Sequence, residues 1–394
     1  MRPRTRRRRL PAGRAVALIT LLGCAAETDR PSTPATGFDT APESVTTRLP
    51  DLSESAVDDS SAQIFRVSAV APLGDGGFAL GNSGAGQIRL YDASGKFVRA
   101  LGRQGSGPGE FQLLGPIWAI APDSIMAWDV IARKLVTFTS TGEVIHETRL
   151  EPAPAVQGPH VIGRFADGAL AVTGSRQRLA LEPSLVGKMV RDSTVVAAFD
   201  AGGAFKRRLA AIPGTPRFVM ATSGPVRWPF VPFHSGAILA VLDSSVATSD
   251  GRGMIDVIGG DGRTIESIVL PIKPALVTSD DVERVRERAL ATAKSPDERT
   301  LWERFYRDAP YPDTMPVIRE MLSDGHSRLL IRLFERPGAE TTRWSLYDIS
   351  SRHARQLILP PRFRPLALGD TILFGVRFDS LDVEHVERYR LPPR

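Results

Sequence analysis

The side chains able to do chemistry are few and scattered. Six histidines stand at positions 146, 160, 234, 326, 353 and 385, and no two have the spacing of ligands on one zinc-binding helix or hairpin. His160 and His234 each precede a strand-like run, so a metal here would have to be shared between distant segments. Asp75, Asp92, Asp123, Asp167 and Asp324 fall in turns, where a short carboxylate accepts neighbouring backbone N–H groups. That local role is the reading for each of them. No Gly-x-Ser-x-Gly elbow occurs, and Cys24 is the only cysteine, which excludes an internal disulfide, a redox pair and a cysteine cluster. The run Leu101-Gly-Arg-Gln-Gly-Ser-Gly-Pro-Gly-Glu-Phe-Gln112 is rich in glycine but lacks the Lys-Ser/Thr and following helix of a phosphate loop. No catalytic residue, metal or cofactor is expected.

The N-terminus explains both the lone cysteine and the charge. Residues 1–23 hold seven arginines and no acid, then the apolar run Ala15–Leu22, the order of a secretory leader too short for a permanent membrane span. Leu21-Leu22-Gly23-Cys24 resembles a bacterial lipobox, which implies an acylated Cys24 as the mature terminus. Ala25 after it implies the outer membrane where a cell has two. The chain carries 50 basic and 44 acidic residues, and without the leader's arginines 43 basic residues remain against the 44 acidic. A near-neutral chain has no excess of cations for displacing counterions from phosphates, so no nucleic-acid partner is expected. Residues 24–60 are rich in Ser, Thr, Pro, Ala and Asp and poor in large apolar groups, the composition of a flexible tether.

From residue 61 onward short apolar runs alternate with turn signals. Six inner turns are expected at Gly74–Gly77, Pro122–Ser124, Ala166–Gly168, His234–Gly236, Ser323–Gly325 and Leu368–Asp370, and five outer turns at Asp92–Gly95, Thr139–Gly142, Asp200–Gly203, Gly259–Gly262 and Asp348–Ser351. Two hairpin turns per repeat make a four-stranded antiparallel sheet. The glycine-rich run 101–112, lying between two such repeats, resembles the interblade signature of six-bladed β-propellers of the NHL type. The resemblance implies an all-β, six-bladed propeller over 61–394, with Glu110 pinning the interblade loop. The sixth repeat lacks an outer turn, so a strand near Thr47–Asp51 is expected to complete it and hide the open edges. Thr278–Asp308 breaks the rhythm with apolar residues at helical spacing and a Ser295-Pro296-Asp297-Glu298 start signal, which predicts a helical hairpin between blades four and five.

Alternating blade topology puts the long segments 175–194, 212–233 and 271–316 on one face, opposite the tight turns. Loops held by a rigid scaffold commonly carry binding groups, so this face is the candidate site. Its candidate binding residues are Trp228, Phe230 and Phe233, together with Trp302, Tyr306 and Tyr311. Each has a plainer reading, that it docks the helical insert onto the blades. The expected function is non-enzymatic binding of a protein or glycan by a membrane-tethered extracytoplasmic protein. The rivals are a metal-dependent hydrolase or lyase similar to gluconolactonases and a structural component of an envelope complex.

Overall fold

The structure is a computed structural model that describes residues 32–38, 40–49, 64–120, 123–176, 182–222, 224–339 and 341–392. The expected leader over 1–23 and the acylation site Cys24 lie outside them. Six antiparallel sheets follow one another along the chain. Their first strands are Val67–Pro72, Leu114–Ile120, Gln157–Arg164, Ile238–Val241, Ile318–Ser323 and Phe363–Leu368. Each touches the first strand of the next sheet and the last touches the first, which closes the ring of a six-bladed β-propeller.

Middle strands such as Phe78–Asn82 and Ser245–Ser249 are buried at every residue, whereas the outer strand Val144–Arg149 is exposed at five of its six. Each blade is covered on both faces by its neighbours, so a middle strand reads as one continuous run rather than alternating. Large side chains fill the spaces between blades, with Trp128, Trp344 and Phe78 fully enclosed. Each contributes on the order of 1.5–3 kcal/mol by leaving water.

Pro122, which begins one of the eleven expected turns, lies outside the described residues; of the ten that lie wholly within them, nine join the strands they were assigned to, the exception being blade four. His234–Gly236 precedes its first strand, and the inner turn is Leu242–Ser244, where Leu242 N–H bonds the Ser245 carbonyl at 2.9 Å. The glycine at 236 is a false signal, because the true turn needs no residue of positive φ. The interblade loop matches its expected role. Glu110 accepts the Gly107 N–H at 2.8 Å and pairs with Arg103 at 2.6 Å, and these contacts, the backbone bond foremost, hold its carboxyl below the usual range. Gly105 has φ +157°, and a Cβ there would lie 2.1 Å from the Glu110 carboxylate, so the pin requires glycine. Asp129, which nothing in the sequence marks, lies buried under the same loop and accepts the N–H groups of Gln112, Leu113, Ile131 and Ala132.

Of the free tether expected over 24–60, residues 32–38 and 40–49 are described and form a strap across three blades, which corrects the expectation there; the rest lies outside the described residues. Ser32–Pro34 adds a parallel fifth strand to blade four, and Glu43–Ser44 does the same for blade five. Blades four and five are thus five-stranded rather than four-stranded. Ala35, Phe38 and Val45 are buried against them, too thinly spread to register in a composition dominated by Ser, Thr and Pro. At Gly37, φ is +81° and a Cβ would lie 2.2 Å from the Ala354 carbonyl, so the strap passes there only as glycine.

Blade six closes as expected. Its own strands are Phe363–Leu368, Ile372–Phe378 and Glu384–Arg390, and Arg48 bridges antiparallel to Tyr389 along the last of them. Leu49 N–H bonds the Arg388 carbonyl at 2.9 Å and Arg390 N–H bonds that of Thr47 at 2.8 Å. Side chains reinforce the seam. Arg388, buried, donates to the Ala93 and Ser94 carbonyls of blade one, and Arg328 donates to those of Gly369 and Asp370 from blade five.

Candidate functional site

The described parts of the three long segments, 175–176, 182–194, 212–222, 224–233 and 271–316, lie on one face and interlock. Helix α1, Ser279–Ala291, starts at Thr278, whose hydroxyl accepts the Asp281 N–H while the Asp281 carboxylate accepts the Thr278 N–H. Helix α2, Pro296–Asp308, starts at Ser295, which accepts the Glu298 N–H. Glu298 itself reaches Lys294 N–H at 2.8 Å, one residue before the cap, rather than completing a box. The neck of the insert is zipped by Val277 N–H to the Asp313 carbonyl at 3.0 Å and Met315 N–H to that of Ala275 at 2.8 Å.

The segment before blade four folds into a hairpin against the segment inside blade three. Met189–Val190 pairs with Arg217–Phe218, and Met220 exchanges two backbone bonds with Arg227 at 2.7 and 3.0 Å. Thr222 fixes the turn by accepting the Gly224 N–H and donating to the Pro225 carbonyl. Phe218, Met220 and Val231 of this hairpin then bury Phe305 of α2, with the Phe218 and Phe305 rings 6.4 Å apart. Separate loops thereby become one platform.

The platform sorts the six candidate aromatics. Phe233 is buried between Tyr311 and Phe334 with φ +65°, and Tyr306 and Tyr311 pack beside Phe305, the Tyr311 hydroxyl donating to the Tyr306 carbonyl at 2.9 Å. Burial raises both phenols above their ordinary titration range. These three hold the insert in place. Trp302 does both jobs, stacking edge-on against Phe305 at 5.7 Å while lining a cavity of 850 Å³. Trp228 and Phe230 face outward, and Phe230, 54% exposed, is the most open aromatic ring of the platform.

Between those two rings lies a residue that the sequence did not single out. The guanidinium carbon of Arg217 is 4.0 Å from the Phe230 ring centre and 5.1 Å from that of Trp228. This stack divides the 850 Å³ cavity, walled on its far side by α2, from a second of 570 Å³ bounded by Gln157, Ser175 and Thr194 of blade three. The signal that finds Arg217 is the Thr222–Pro225 turn, since a hairpin around it sets residue 217 opposite residue 230.

The two histidines considered as metal ligands have separate partners. His160 Nδ1 accepts the indole N–H of the buried Trp128 at 3.0 Å, so its proton sits on Nε2. His234 Nε2 faces the Pro310 carbonyl at 3.4 Å, tying blade four to the insert. Among the described residues no three His, Cys, Asp or Glu side chains cluster as metal ligands. Burial pushes both imidazoles below their ordinary value. The unfolded chain therefore takes up protons first as pH falls through about 6.5, so stability is full above that pH and declines below it. Denaturant titrations above and below that pH should show this slope, and His160→Gln should reduce it. An unchanged slope in the variant rejects His160 as a contributor.

The fold and this platform define the class, a six-bladed propeller with one elaborated face. A protein-family profile described as a 6-bladed beta-propeller matches residues 61–159, the first two blades and the start of the third. No curated protein matches the chain. Among solved structures, a candidate exported protein of Bacteroides fragilis is similar at 14% identity over 88% of this chain and 95% of that one, with a TM-score of 0.49. Virginiamycin B lyase of Staphylococcus aureus is 12% identical over 84% and 96%, with a TM-score of 0.40. Regucalcin, a calcium-binding protein of Agrobacterium tumefaciens, is 11% identical over 88% and 94%, with a TM-score of 0.41.

Proposed function

We propose that this propeller works outside the cytoplasm, tethered to a membrane by an acylated Cys24, and binds a protein or glycan on its elaborated face without catalysing a reaction. The observation that carries the reading is the fusion of three long segments into one platform, with Trp228, Arg217 and Phe230 standing between two cavities. The opposite face offers short turns whose aspartates are occupied by their own backbone, as in Asp167 to Ala169 N–H at 2.9 Å and Asp75 to Gly77 N–H at 2.8 Å.

The strap changes what such an anchor would do. Only seven residues separate Cys24 from Ser32 at the edge of blade four, a reach of at most about 28 Å when fully extended. That length of chain is then the most that such an anchor could leave between the lipid and the strap.

One experiment tests both halves. Membrane fractions of cells expressing the full chain should contain it with a diacylglyceryl group on Cys24, and Cys24→Ala should release it or leave the precursor uncleaved. An unmodified thiol in the membrane fraction rejects the anchor. Photo-crosslinkers placed at Trp228 and at Asp167 should capture partners only at the former, and Trp228→Ala should weaken retention on the order of 30-fold. Capture at Asp167 alone rejects the face.

A further inference from the structure

Arg217 is a half-buried cation, and among the described residues no carboxylate lies within ion-pair distance of it and no acceptor takes its side-chain N–H groups. Stacking between Trp228 and Phe230 fixes the plane of the guanidinium while leaving its in-plane donors free, the arrangement that presents a two-pronged fork to a carboxylate. The fork opens onto both cavities. Arg227, exposed on the opposite arm of the hairpin beside Trp228, is likewise without an acid partner among the described residues. On the opposite wall Asp297 and Glu298 begin α2, and Glu298 is engaged by Lys294 N–H. Arg304 stands on the same wall and donates to the Ala221 carbonyl, so that wall carries both signs, whereas the stack carries only positive charge.

A second observation concerns the main chain. Arg227 exchanges both its backbone bonds with Met220, and the Pro229 carbonyl accepts the Phe218 N–H at 3.0 Å. In an antiparallel pair the residue between two such positions turns its N–H and C=O the other way. Those groups of Trp228 therefore point to the open edge of the hairpin, and neither has a partner among the described residues. An unpaired N–H and C=O on a strand edge are a template for another extended chain.

Resting on the reading of this face as the binding surface, we infer that the Arg227–Phe230 edge takes an extended peptide segment of a partner protein, and that an Asp or Glu of that segment is held by the Arg217 fork. The strand edge is what favours a peptide over a glycan, because a sugar chain carries no N–H and C=O pair at strand spacing to meet Trp228.

Phage-displayed random linear peptides panned on the full-length protein test this. Enriched peptides should share an acidic residue at one position. For a synthetic enriched peptide followed by fluorescence anisotropy, Arg217→Gln and amidation of the peptide acid should each weaken binding on the order of 10-fold or more, with little further loss when combined. Arg217→Lys should restore only part, since a point charge replaces the fork. Thermal unfolding of each variant must match the parent, so that the loss is of recognition and not of fold. Peptides without an acid, or indifference to Arg217→Gln, overturn the inference; if Trp228→Ala still abolishes their binding, the face reading stands. Crosslinking of the peptides only to the tight-turn face overturns both. Failure to enrich any peptide, with an oligogalacturonate binding at the stack instead, also overturns it and assigns the site to a glycan.

Discussion

Glu387→Ala should lower the unfolding free energy by about 3 kcal/mol, the lower end of what breaking a buried ion pair removes, because both cations keep partial contact with water. The Glu387 side chain is 0% exposed, with Oε1 2.7 Å from Arg377 Nε and 3.3 Å from Arg48 Nη2, and Oε2 accepting the Tyr389 hydroxyl at 2.6 Å. Alanine leaves a buried phenol without its acceptor and removes the carboxylate that Arg377 and Arg48 share. Arg48 belongs to the strap, so the damage extends beyond blade six. The pairing of Thr47–Leu49 with the last strand loses its side-chain clamp, and the ring loosens where its two ends meet. Chemical denaturation should show an earlier midpoint, and limited proteolysis should cut within residues 32–49 sooner than in the parent. Glu387→Gln retains the shape and some acceptor capacity, so its loss should be smaller. A midpoint within about 0.5 kcal/mol of the parent for the alanine variant contradicts this account of the closure.

Phe305→Ala should detach the helical insert while sparing the blades. The ring is 1% exposed and lies 5.0 Å from the Tyr306 ring, 5.7 Å from that of Trp302 and 6.4 Å from that of Phe218. Truncating a phenylalanine so enclosed removes about 3–5 kcal/mol. The loss falls on α2 and the hairpin of residues 217–231, because those are the elements the ring joins. Hydrogen exchange should rise across 279–308, with the middle strands of the blades still protected. Partner binding at the platform should fall with it, since Trp302 and the Trp228 hairpin lose their common support. Uniform exchange across insert and blades, or an insert as protected as the parent's, rejects the view that Phe305 fastens it.

What the sequence by itself determined is whatever a few neighbouring residues can decide. The Asp92–Gly95 turn is made by Asp92 accepting the N–H groups of Ser94 and Lys96, and Thr278 and Ser295 start the helices through contacts three residues away. Such signals, repeated along the chain, sufficed for the number of blades, the insert and the elaborated face. They failed at Leu242–Ser244, where Gly236 a few residues earlier offered a stronger but false turn signal. The tertiary structure alone decided the rest. Ala35, Phe38 and Val45 acquire meaning only once blades four, five and six offer edges and grooves more than 200 residues away in the chain. The six aromatics read alike in sequence, yet three became packing and Trp228 and Phe230 stayed open, because α2 covers one side of the hairpin and leaves the other bare. Arg217 is one of many arginines until the hairpin sets it between two rings. Its chemistry comes from the company it keeps, and contacts between residues distant in sequence are set by ring closure and burial rather than by local propensity.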